Sequence, residues 1–332
     1  MACGYEVHLR RIAHPNLVFS RAPLCLCAPC SIPFSLVFSL ALCVSASLRL
    51  PVPLQRSGRM VRYRLYPAKD VAADRCVMGE DVKKEQIALQ LYTVRDVAAQ
   101  DFVGMLRQVS EIGYRAVELA GFGDLSVADL RETLDKYNLR AIAAHVAYAQ
   151  FEERASGVLA DLKALGCEFA VVPALPQEYR ADEELLRAAA KNFNEWGALA
   201  QEVGLRFGYH NHAFEFAPLP SGTLPYDLLV NETDPALVNF EIDLFWVQYG
   251  GADAQEWNRR LKGRAPLLHV KDMAAGEARA DTPFGTGIMP WDQLLATGEA
   301  AGAEWYIVEQ DHPQSSLDDV RTSLQNLEAA AK

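Results

Sequence analysis

The chain has little cysteine after its first 77 residues. Six of its seven cysteines lie within residues 1–77, and only Cys167 lies after residue 77. A single cysteine cannot form a disulfide framework, and we interpret Cys167 as a small buried hydrophobic residue. This cysteine usage suits a reducing compartment, so we predict a cytoplasmic protein. The alternative is an exported or anchored protein, which applies if residues 1–50 are a genuine signal segment.

Basic residues are also scarce after residue 77. The formal net charge of the 332-residue chain is −11, but residues 1–77 carry ten Lys/Arg against three Asp/Glu, which leaves 22 against 40 for the remainder. A body this acidic repels phosphate backbones, so nucleic acid is not expected as a partner.

Residues 1–80 lack the strand alternation and the helical periodicity of the later chain. Pro33–Leu48 is apolar, but Arg49 interrupts the run near the length that a membrane span needs. We interpret residues 1–80 as a poorly structured leading segment, either a targeting segment or the product of a start codon assigned too far upstream. Met60 and Met78 are the candidate later starts. We expect no membrane partner for the domain that follows.

From Ile87 onward, short apolar strands alternate with amphipathic helices. The predicted strands are 87–92, Ala116–Leu119, Ala141–His145, Phe169–Pro173, Leu205–His210, Val238–Asp243, Leu267–Val270 and Trp305–Val308. Eight strand-helix units in about 245 residues are typical of an α/β fold of the (β/α)8 TIM-barrel type, which we predict as a catalytic domain over residues 86–332. A doubly wound open sheet is the alternative, but no G-x-G-x-x-G follows a strand.

Two helices are predicted in more detail. The helix after the fourth strand should bury one stripe of residues, namely Leu185, Ala189, Phe193, Trp196, Leu199, Ala200 and Val203. The closing helix should begin at a capping box formed by Ser316-Leu317-Asp318-Asp319.

Polar side chains stand at or just after the ends of most predicted strands. They are Gln90, Tyr92, Glu118, His145, His210, His212, Glu215, Glu241, Asp243, Trp246, His269, Lys271 and Glu309. The carboxyl ends of barrel strands converge on one face, so these side chains should share one site. Converging charges are costly unless something neutralises them, and a divalent cation does so most simply.

Two imidazoles and two carboxylates come from four consecutive strands. These predicted metal ligands are His210, Asp243, His269 and Glu309. A mixed nitrogen and oxygen set suits manganese, cobalt, zinc or iron better than calcium. A metal-free network of hydrogen-bonded carboxylates and histidines is the alternative. Lys271 should point the same way as His269, although a solvated surface lysine is nearly as plausible.

Five motifs carry a resemblance to a known family. They are Gln90-Leu91-Tyr92-Thr93-Val94-Arg95-Asp96, Gly113-Tyr114-x-x-Val117-Glu118, Gly208-Tyr209-His210-Asn211-His212-x-Phe214-Glu215-Phe216, Leu268-His269-Val270-Lys271-Asp272 and Val308-Glu309-Gln310-Asp311. From Ile87 onward the chain resembles the xylose isomerase-like TIM-barrel superfamily, specifically the bacterial sugar phosphate isomerase/epimerase branch.

The resemblance implies a metal held by a Glu, an Asp, a His and a second Glu on strands five to eight. Asp243, His269 and Glu309 match the last three, whereas His210 stands where many relatives have the first glutamate. Endonuclease IV relatives have a histidine where this chain has Trp246, and with the acidic body this argues against DNA repair.

The resemblance further implies a divalent-metal-dependent isomerase or epimerase that acts on a ketose or keto-sugar derivative through an enediolate. In this reading Glu309 or Glu215 moves the proton, while His145 and Lys271 position oxygen atoms. The expected substrate contacts are Gln90, Tyr92, Glu118, His212 and Trp246, with Phe245 beside Tyr92 and Trp246 in an apolar wall. A lyase similar to inosose dehydratase is the runner-up, and a non-enzymatic sugar- or metal-binding module is the third reading. Assembly into a homo-oligomer stays open.

Overall fold

Eight parallel strands form a closed barrel. The computed structural model describes residues 82–330, so the predictions for residues 1–80 lie outside it. The barrel strands are β1 (Ile87–Gln90), β2 (Ala116–Leu119), β3 (Arg140–His145), β4 (Phe169–Val172), β5 (Arg206–His210), β6 (Val238–Asp243), β7 (Leu267–Val270) and β10 (Trp305–Val308). They follow one another around the barrel in chain order, and β10 closes against β1. The predicted TIM barrel is confirmed.

Helices connect successive strands. They are α1 (Arg95–Ala98), α2 (Phe102–Ile112), α3 (Val127–Lys136), α4 (Tyr148–Leu165), α5 (Glu183–Glu202), α6 (Pro225–Glu232), α7 (Leu244–Tyr249), α8 (Ala254–Arg260), α9 (Trp291–Ala301) and α10 (Ser316–Ala330). Gly113 follows α2 with a φ of +130°, a backbone conformation that glycine adopts readily. Within residues 82–330, no helix has both the length and the apolar character that a membrane crossing requires.

Alternation along the strands separates two apolar regions. Outward residues such as Leu89, Val117 and Val308 pack in the large core beneath the helices. Inward residues fill a second, smaller cluster that includes Ala88, Phe169 and Ile307. Successive side chains of a strand point to opposite faces, so the next inward position lies two residues further on. At those positions the chain has polar residues, including Gln90, Glu118 and Glu309.

The helical predictions need two corrections. On α5 the buried residue of the first turn is Leu186 rather than Leu185, and Val203 is 40% exposed. Val203 lies outside the stripe because it follows the last residue of the helix. Helix α10 already includes Ser316, so its cap lies one residue before the predicted box, where the Asp319 carboxylate accepts the N–H groups of Gln314 and Ser315 at 2.9 and 3.4 Å.

Two short elements were not predicted. Helix α7 follows β6 directly, and a two-stranded antiparallel hairpin, β8 (Asp272–Met273) with β9 (Asp281–Thr282), lies between β7 and α9. The Asp272 carboxylate fixes the end of this segment by accepting N–H groups of Gly285, Gly287 and Met289 at 3.0, 3.0 and 3.1 Å. A β-carbon on Gly287 would lie 2.3 Å from Asp272 Oδ1, so the backbone approach requires glycine there.

Candidate active site

A cavity of about 360 Å³ opens at the carboxyl end of the barrel. Its lining residues are Tyr92, Ala120, His145, Pro173, Ala174, His210, His212, Glu309 and Asp311. They come from the ends of β1 to β5 and of β10, or from the segments that follow, as expected for a barrel whose strand ends share one face.

A cluster of three histidines and two glutamates lies at the base of this cavity. Glu241 Oε2 is 2.6 Å from His145 Nε2, 3.1 Å from His210 Nδ1 and 3.2 Å from His269 Nε2. The neighbouring Glu118 lies 2.9 Å from His269 Nε2 through its Oε2 atom. In-register pairing of β5 with β6 sets His210 opposite Glu241, which explains why these two side chains meet.

A second cluster surrounds the ammonium group of Lys271. Its Nζ atom lies 3.0 Å from Asp243 Oδ2, 2.8 Å from Glu309 Oε2 and 2.5 Å from Asp311 Oδ2. The side chain of Lys271 is fully buried. A buried charge is stable only when oppositely charged or hydrogen-bonding groups surround it, so these three carboxylates account for the position of Lys271.

His269 joins the two clusters. Its Nδ1 atom lies 3.0 Å from Glu309, and its Nε2 atom faces Glu118 and Glu241. Burial lowers the pKa of His269, but the charges of Glu241 and Glu309 outweigh burial and hold it well above the usual value. Without a cation, His269 is therefore protonated and supplies one of the positive charges between the carboxylates.

The carboxylates divide into two protonation classes. Burial raises the pKa of Glu118 to about 7 and that of Asp243 to about 6. Burial also opposes ionisation of Glu241 and Glu309, but nearby positive groups hold both pKa values well below the usual one. For Glu309 these groups are Lys271 and His269. Glu309 therefore faces the cavity as an ionised carboxylate.

Two other histidines are neutral. Burial is the main cause that lowers the pKa of His210 to about 3, and it also holds the pKa of His212 well below normal. A neutral imidazole has a lone pair that can bind a metal or accept a proton.

The donor set fits a divalent cation. Four buried atoms in these clusters have no hydrogen-bond partner, namely Glu118 Oε1, His210 Nδ1, Glu241 Oε1 and Asp243 Oδ2. His210 Nδ1 and Asp243 Oδ2 have charged neighbours near 3 Å, but not in hydrogen-bonding geometry. Unpaired buried polar atoms are costly, and a metal ion would satisfy them.

Two overlapping groups offer ligand atoms within 4.8 Å of one another. One contains the four predicted ligands, His210, Asp243, His269 and Glu309. The other contains His145, His210, Glu241 and His269. Both mix nitrogen and oxygen donors, which is typical of sites for transition metals and zinc.

Comparison with known proteins identifies the family. Residues 106–330, more than half of the chain, match the family described as the xylose isomerase-like TIM barrel. The chain belongs to this family. The solved structure of a sugar phosphate isomerase/epimerase from Parabacteroides distasonis has a TM-score of 0.66 and 24% identity, with 76% of this chain and 96% of that chain covered.

Two further proteins are similar to this chain. Inosose dehydratase from Geobacillus kaustophilus is 27% identical over 194 residues, which cover 51% of this chain and 61% of that protein. The chain spans between a third and about three fifths of the length of the inosose dehydratases that it matches. An IolI protein with a bound zinc atom has a TM-score of 0.58 and 15% identity, with 74% of this chain and 98% of that chain covered.

The structure brings most of the predicted site residues of this xylose isomerase-like barrel together. Tyr92, His145, His210, His212 and Glu309 line the cavity. The predicted residues His269 and Lys271 contact Glu309 from buried positions behind it, and the buried Asp243 contacts both of them. Tyr92 is 44% exposed, and the Arg95 guanidinium lies 4.1 Å from the centre of its ring.

Other predicted contacts are not on the cavity wall. Gln90 is fully buried and donates to Glu118 at 2.8 Å, so both serve the interior cluster rather than the lining. Phe245 and Trp246 lie at the start of α7, next to Lys271 at 5.6 and 5.3 Å from its Nζ atom. The expected apolar wall therefore consists of Tyr92 together with Ala120, Pro173 and Ala174 instead.

Glu215 also occupies a different place from the one expected of a proton shuttle. It lies in a 3-10 turn, Phe214–Phe216, and its carboxylate accepts the Tyr209 hydroxyl at 2.6 Å and the His212 N–H at 2.9 Å. Burial raises its pKa to about 8. This placement does not support proton transfer by Glu215, and it indicates that the residue holds the segment of His212 in position.

Two residues contribute more to the clusters than the sequence indicated: Glu241 was expected at the shared site without a specific role, and Asp311 was not expected there. Glu241 contacts three histidines, and Asp311 pairs with Lys271 and lines the cavity. Glu241 lies two residues before Asp243 on one strand, so strand alternation alone places both side chains on the inner face. Asp311 follows the end of β10, where alternation no longer determines direction.

Proposed function

We propose that this protein is a divalent-metal-dependent isomerase or epimerase that removes a proton next to the carbonyl of a ketose or keto-sugar derivative. One observation carries the proposal: Glu309 belongs to a four-residue donor group within 4.8 Å and also lines the cavity. A cation held by His210, Asp243, His269 and Glu309 would supply Lewis acidity toward the carbonyl oxygen of the substrate.

Glu309 is the proposed base. Its carboxylate is ionised, and contacts with His269 Nδ1 at 3.0 Å and Lys271 Nζ at 2.8 Å fix its orientation. A base that is fixed before the substrate arrives does not have to be ordered during the reaction. Lys271 acts in this proposal as a positioning residue, because three carboxylates surround it.

His212 and His145 are the proposed partners of Glu309. His212 lines the cavity as a neutral imidazole, and its buried Nδ1 atom has no hydrogen-bond partner. As a neutral imidazole it can form a hydrogen bond with a substrate hydroxyl group. His145 is oriented by Glu241 at 2.6 Å and lines the cavity, where it can position a substrate oxygen.

A lyase is the second candidate. Removal of the same proton leads to dehydration when a hydroxyl group on the next carbon can leave. His210 stands in place of a carboxylate that the family epimerases are expected to use to return the proton, and this replacement favours elimination over epimerisation. The matched relatives named inosose dehydratase agree with this alternative. Product analysis separates the two, because elimination yields an unsaturated or rearranged ketone and one water per turnover.

Exchange of the α-proton in heavy water tests the proposal. We expect the manganese-loaded protein to incorporate deuterium into at least one member of a ketose and keto-inositol panel, and a chelator to abolish the exchange. His210→Ala should lose both bound metal and exchange, whereas Glu132→Gln on the exposed surface of α3 is the matched control and should retain both. Chelator-resistant exchange would contradict the role of the metal. If the metal-loaded protein exchanged the α-proton of no ketone in the panel, the result would favour the non-enzymatic sugar- or metal-binding module over the enzyme.

A further inference from the structure

The cavity wall continues past β10 into a segment without regular secondary structure. This segment, residues 309–312, contains two lining residues, Glu309 and Asp311. Strand pairing fixes side-chain direction only as far as Val308, the last residue of β10. The direction of Asp311 is therefore set by contacts other than strand pairing.

Charged side chains hold one peptide group of this segment from both sides. The Arg95 guanidinium donates to the carbonyl oxygen of Asp311 at 2.5 Å, and the Asp281 carboxylate accepts the N–H group of His312 at 2.8 Å. These two groups belong to the same peptide bond. In a trans peptide they point in opposite directions, so a cation on one side and an anion on the other fix the orientation of its plane.

The Asp281 carboxylate serves the backbone of His312 more than its ring. The Asp281 side chain is 3% exposed, whereas the His312 side chain is 79% exposed. His312 Nδ1 lies 3.3 Å from Asp281 Oδ1, which is longer than the contact with the N–H group. An ion pair with a largely exposed ring contributes little to stability, so the N–H group is the main partner of this carboxylate.

The segment that contains Asp281 is itself held in place. Asp281 lies in β9, which pairs with β8. Just after β9, the Phe284 N–H donates to Ser323 Oγ at 3.0 Å, and Asn326 Nδ2 donates to the Phe284 carbonyl oxygen at 2.7 Å. Both contacts attach the segment to α10. The position of Asp281 is therefore fixed by groups other than the peptide that it contacts.

Arg95 also contacts a second lining residue. It donates to the carbonyl oxygen of Tyr92 at 2.8 Å, and its guanidinium lies 4.1 Å from the centre of the Tyr92 ring. Tyr92 and Asp311 both line the cavity, although they are far apart in the sequence. Because the guanidinium is planar and offers several donors in a fixed arrangement, one side chain can hold both parts of the wall.

We infer that Arg95 and Asp281 are positioning residues, which fix the Asp311–His312 peptide group and thereby hold the Asp311 carboxylate in the cavity wall. Asp311 Oδ2 lies 2.5 Å from Lys271 Nζ, and Lys271 Nζ lies 2.8 Å from Glu309. Rotation of the peptide group would move Asp311 away from this lysine. The inference rests on the proposed function for the use of this cavity in catalysis.

Amide hydrogen exchange tests the inference without requiring turnover. Mass spectrometry of fragments of the full-length protein that span residues 309–313 reports the His312 amide. Asp281→Ala should accelerate exchange at this amide by about tenfold or more, because a charge-assisted hydrogen bond is lost. Asp281→Asn keeps an acceptor oxygen and should restore most of the protection. His312→Ala is the matched control, since it removes the ring and keeps the N–H group. Its exchange should match the native rate after correction for intrinsic rates.

Three outcomes of this measurement would overturn the inference. One is equal protection in the native protein and in Asp281→Ala. The second is a loss of protection in His312→Ala as large as that in Asp281→Ala. Fragments from β4 report global unfolding and should stay protected in every variant. The third is a loss of protection in β4 as large as the loss at residue 312, which would show that the whole barrel opens.

Coupling between the two positioning residues gives a second test. Arg95→Ala should also accelerate exchange at the His312 amide. Both substitutions release the same peptide group, so the double variant should exchange more slowly than the product of the two single effects predicts. A double variant that matches this product would show that Arg95 and Asp281 act independently.

Exchange of the α-proton in heavy water connects the positioning residues to catalysis. The probe is the panel ketone that the native manganese-loaded protein exchanges fastest. Asp281→Ala should raise its Michaelis constant by about tenfold and leave the maximal rate within about threefold, because the wall is loosened while Glu309 remains. Asp281→Asn should recover most of this loss. An unchanged Michaelis constant in Asp281→Ala would contradict a role in positioning. If the native protein exchanges no ketone, the proposed function fails, and amide protection still decides the inference.

Discussion

The two ends of the barrel interior contrast sharply in chemistry. The amino-terminal part contains Ala88, Phe169 and Ile307, which fill the space by packing and have no polar atoms in their side chains. Two residues beyond Ala88 and Ile307 come Gln90 and Glu309, which belong to the polar part. In the apolar part the side chains pack against one another, whereas the polar part contains buried oxygen and nitrogen atoms that have no hydrogen-bond partner.

The difference shows how one set of strands serves two purposes. Apolar packing stabilises the closed barrel at one end, because buried hydrophobic area is favourable wherever it fits. At the other end, the same rigid strands hold like charges at short range, which costs stability and becomes useful only when a ligand compensates. Mutations in the apolar part should therefore mainly lower the free energy of unfolding, whereas mutations in the polar part should mainly change metal binding and the exchange rate.

Glu309→Gln should produce the largest effect, on reaction rate. Loss of the proposed base should lower the α-proton exchange rate by about 10²- to 10⁴-fold. The measurement is exchange at saturating ketose, normalised to bound metal. Unaltered exchange at equal metal content would remove Glu309 from the mechanism.

Phe169→Ala should lower stability and leave metal binding and the Michaelis constant unchanged. Phe169 is fully buried in the apolar part of the interior, so its removal should lower the free energy of unfolding by about 3–5 kcal/mol. Urea denaturation measures this loss. Metal content and the Michaelis constant of the folded fraction should stay at native values, and a selective loss of metal would break the contrast between the two ends.

Glu215→Gln should change how stability depends on pH. Burial raises the pKa of Glu215 to about 8, above the ordinary value of 4.5. A raised pKa means that the folded state favours the protonated acid, so this stabilisation is complete below pH 4.5 and is lost as pH rises to about 8.

The neutral amide removes that dependence. Relative to the native protein, the variant should gain stability between pH 5 and pH 8, by an amount on the order of 3 kcal/mol. Thermal or urea unfolding at several pH values measures the difference between the two proteins. A difference that does not change with pH would show that Glu215 is ionised throughout.

Metal addition should have the smallest effect. Manganese at about 100 times its dissociation constant should raise the free energy of unfolding by about 2.7 kcal/mol. The Phe169→Ala variant should show the same increment from its lower baseline, whereas His210→Ala should lose most of it. Thermal unfolding with and without chelator measures the increment, and an equal response in both variants would place the cation elsewhere.

Strand periodicity made much of this architecture predictable. The bounds of β2, β6, β7 and β10 agree with the prediction, because each is a short apolar run with clear flanking residues. Convergence of His210, Asp243, His269 and Glu309 follows from their inward positions at strand ends. The barrel and the family membership are confirmed, while the catalytic roles stay predictions.

Residues beyond the strands were harder to place. Once a strand ends, alternation no longer determines side-chain direction, so Glu215 turns toward Tyr209 and Asp311 turns toward Lys271. The ion pair between Lys271 and Asp311 depends on the distance between two segments that are 40 residues apart in the sequence. Helix α7 has only six residues, which is too short for a helical period to distinguish it from a loop.

The seam between the first and last strands has a consequence for biosynthesis. The Gln310 N–H donates to Thr93 Oγ1 at 2.9 Å, and the Arg95 guanidinium donates to the Asp311 carbonyl oxygen, across more than 200 residues of sequence. Contacts this distant in sequence carry a large loop-closure entropy. Synthesis runs from the amino terminus, so His210, Asp243 and His269 leave the ribosome before Glu309, and the proposed ligand set can be completed only when the last strand is available to close the barrel.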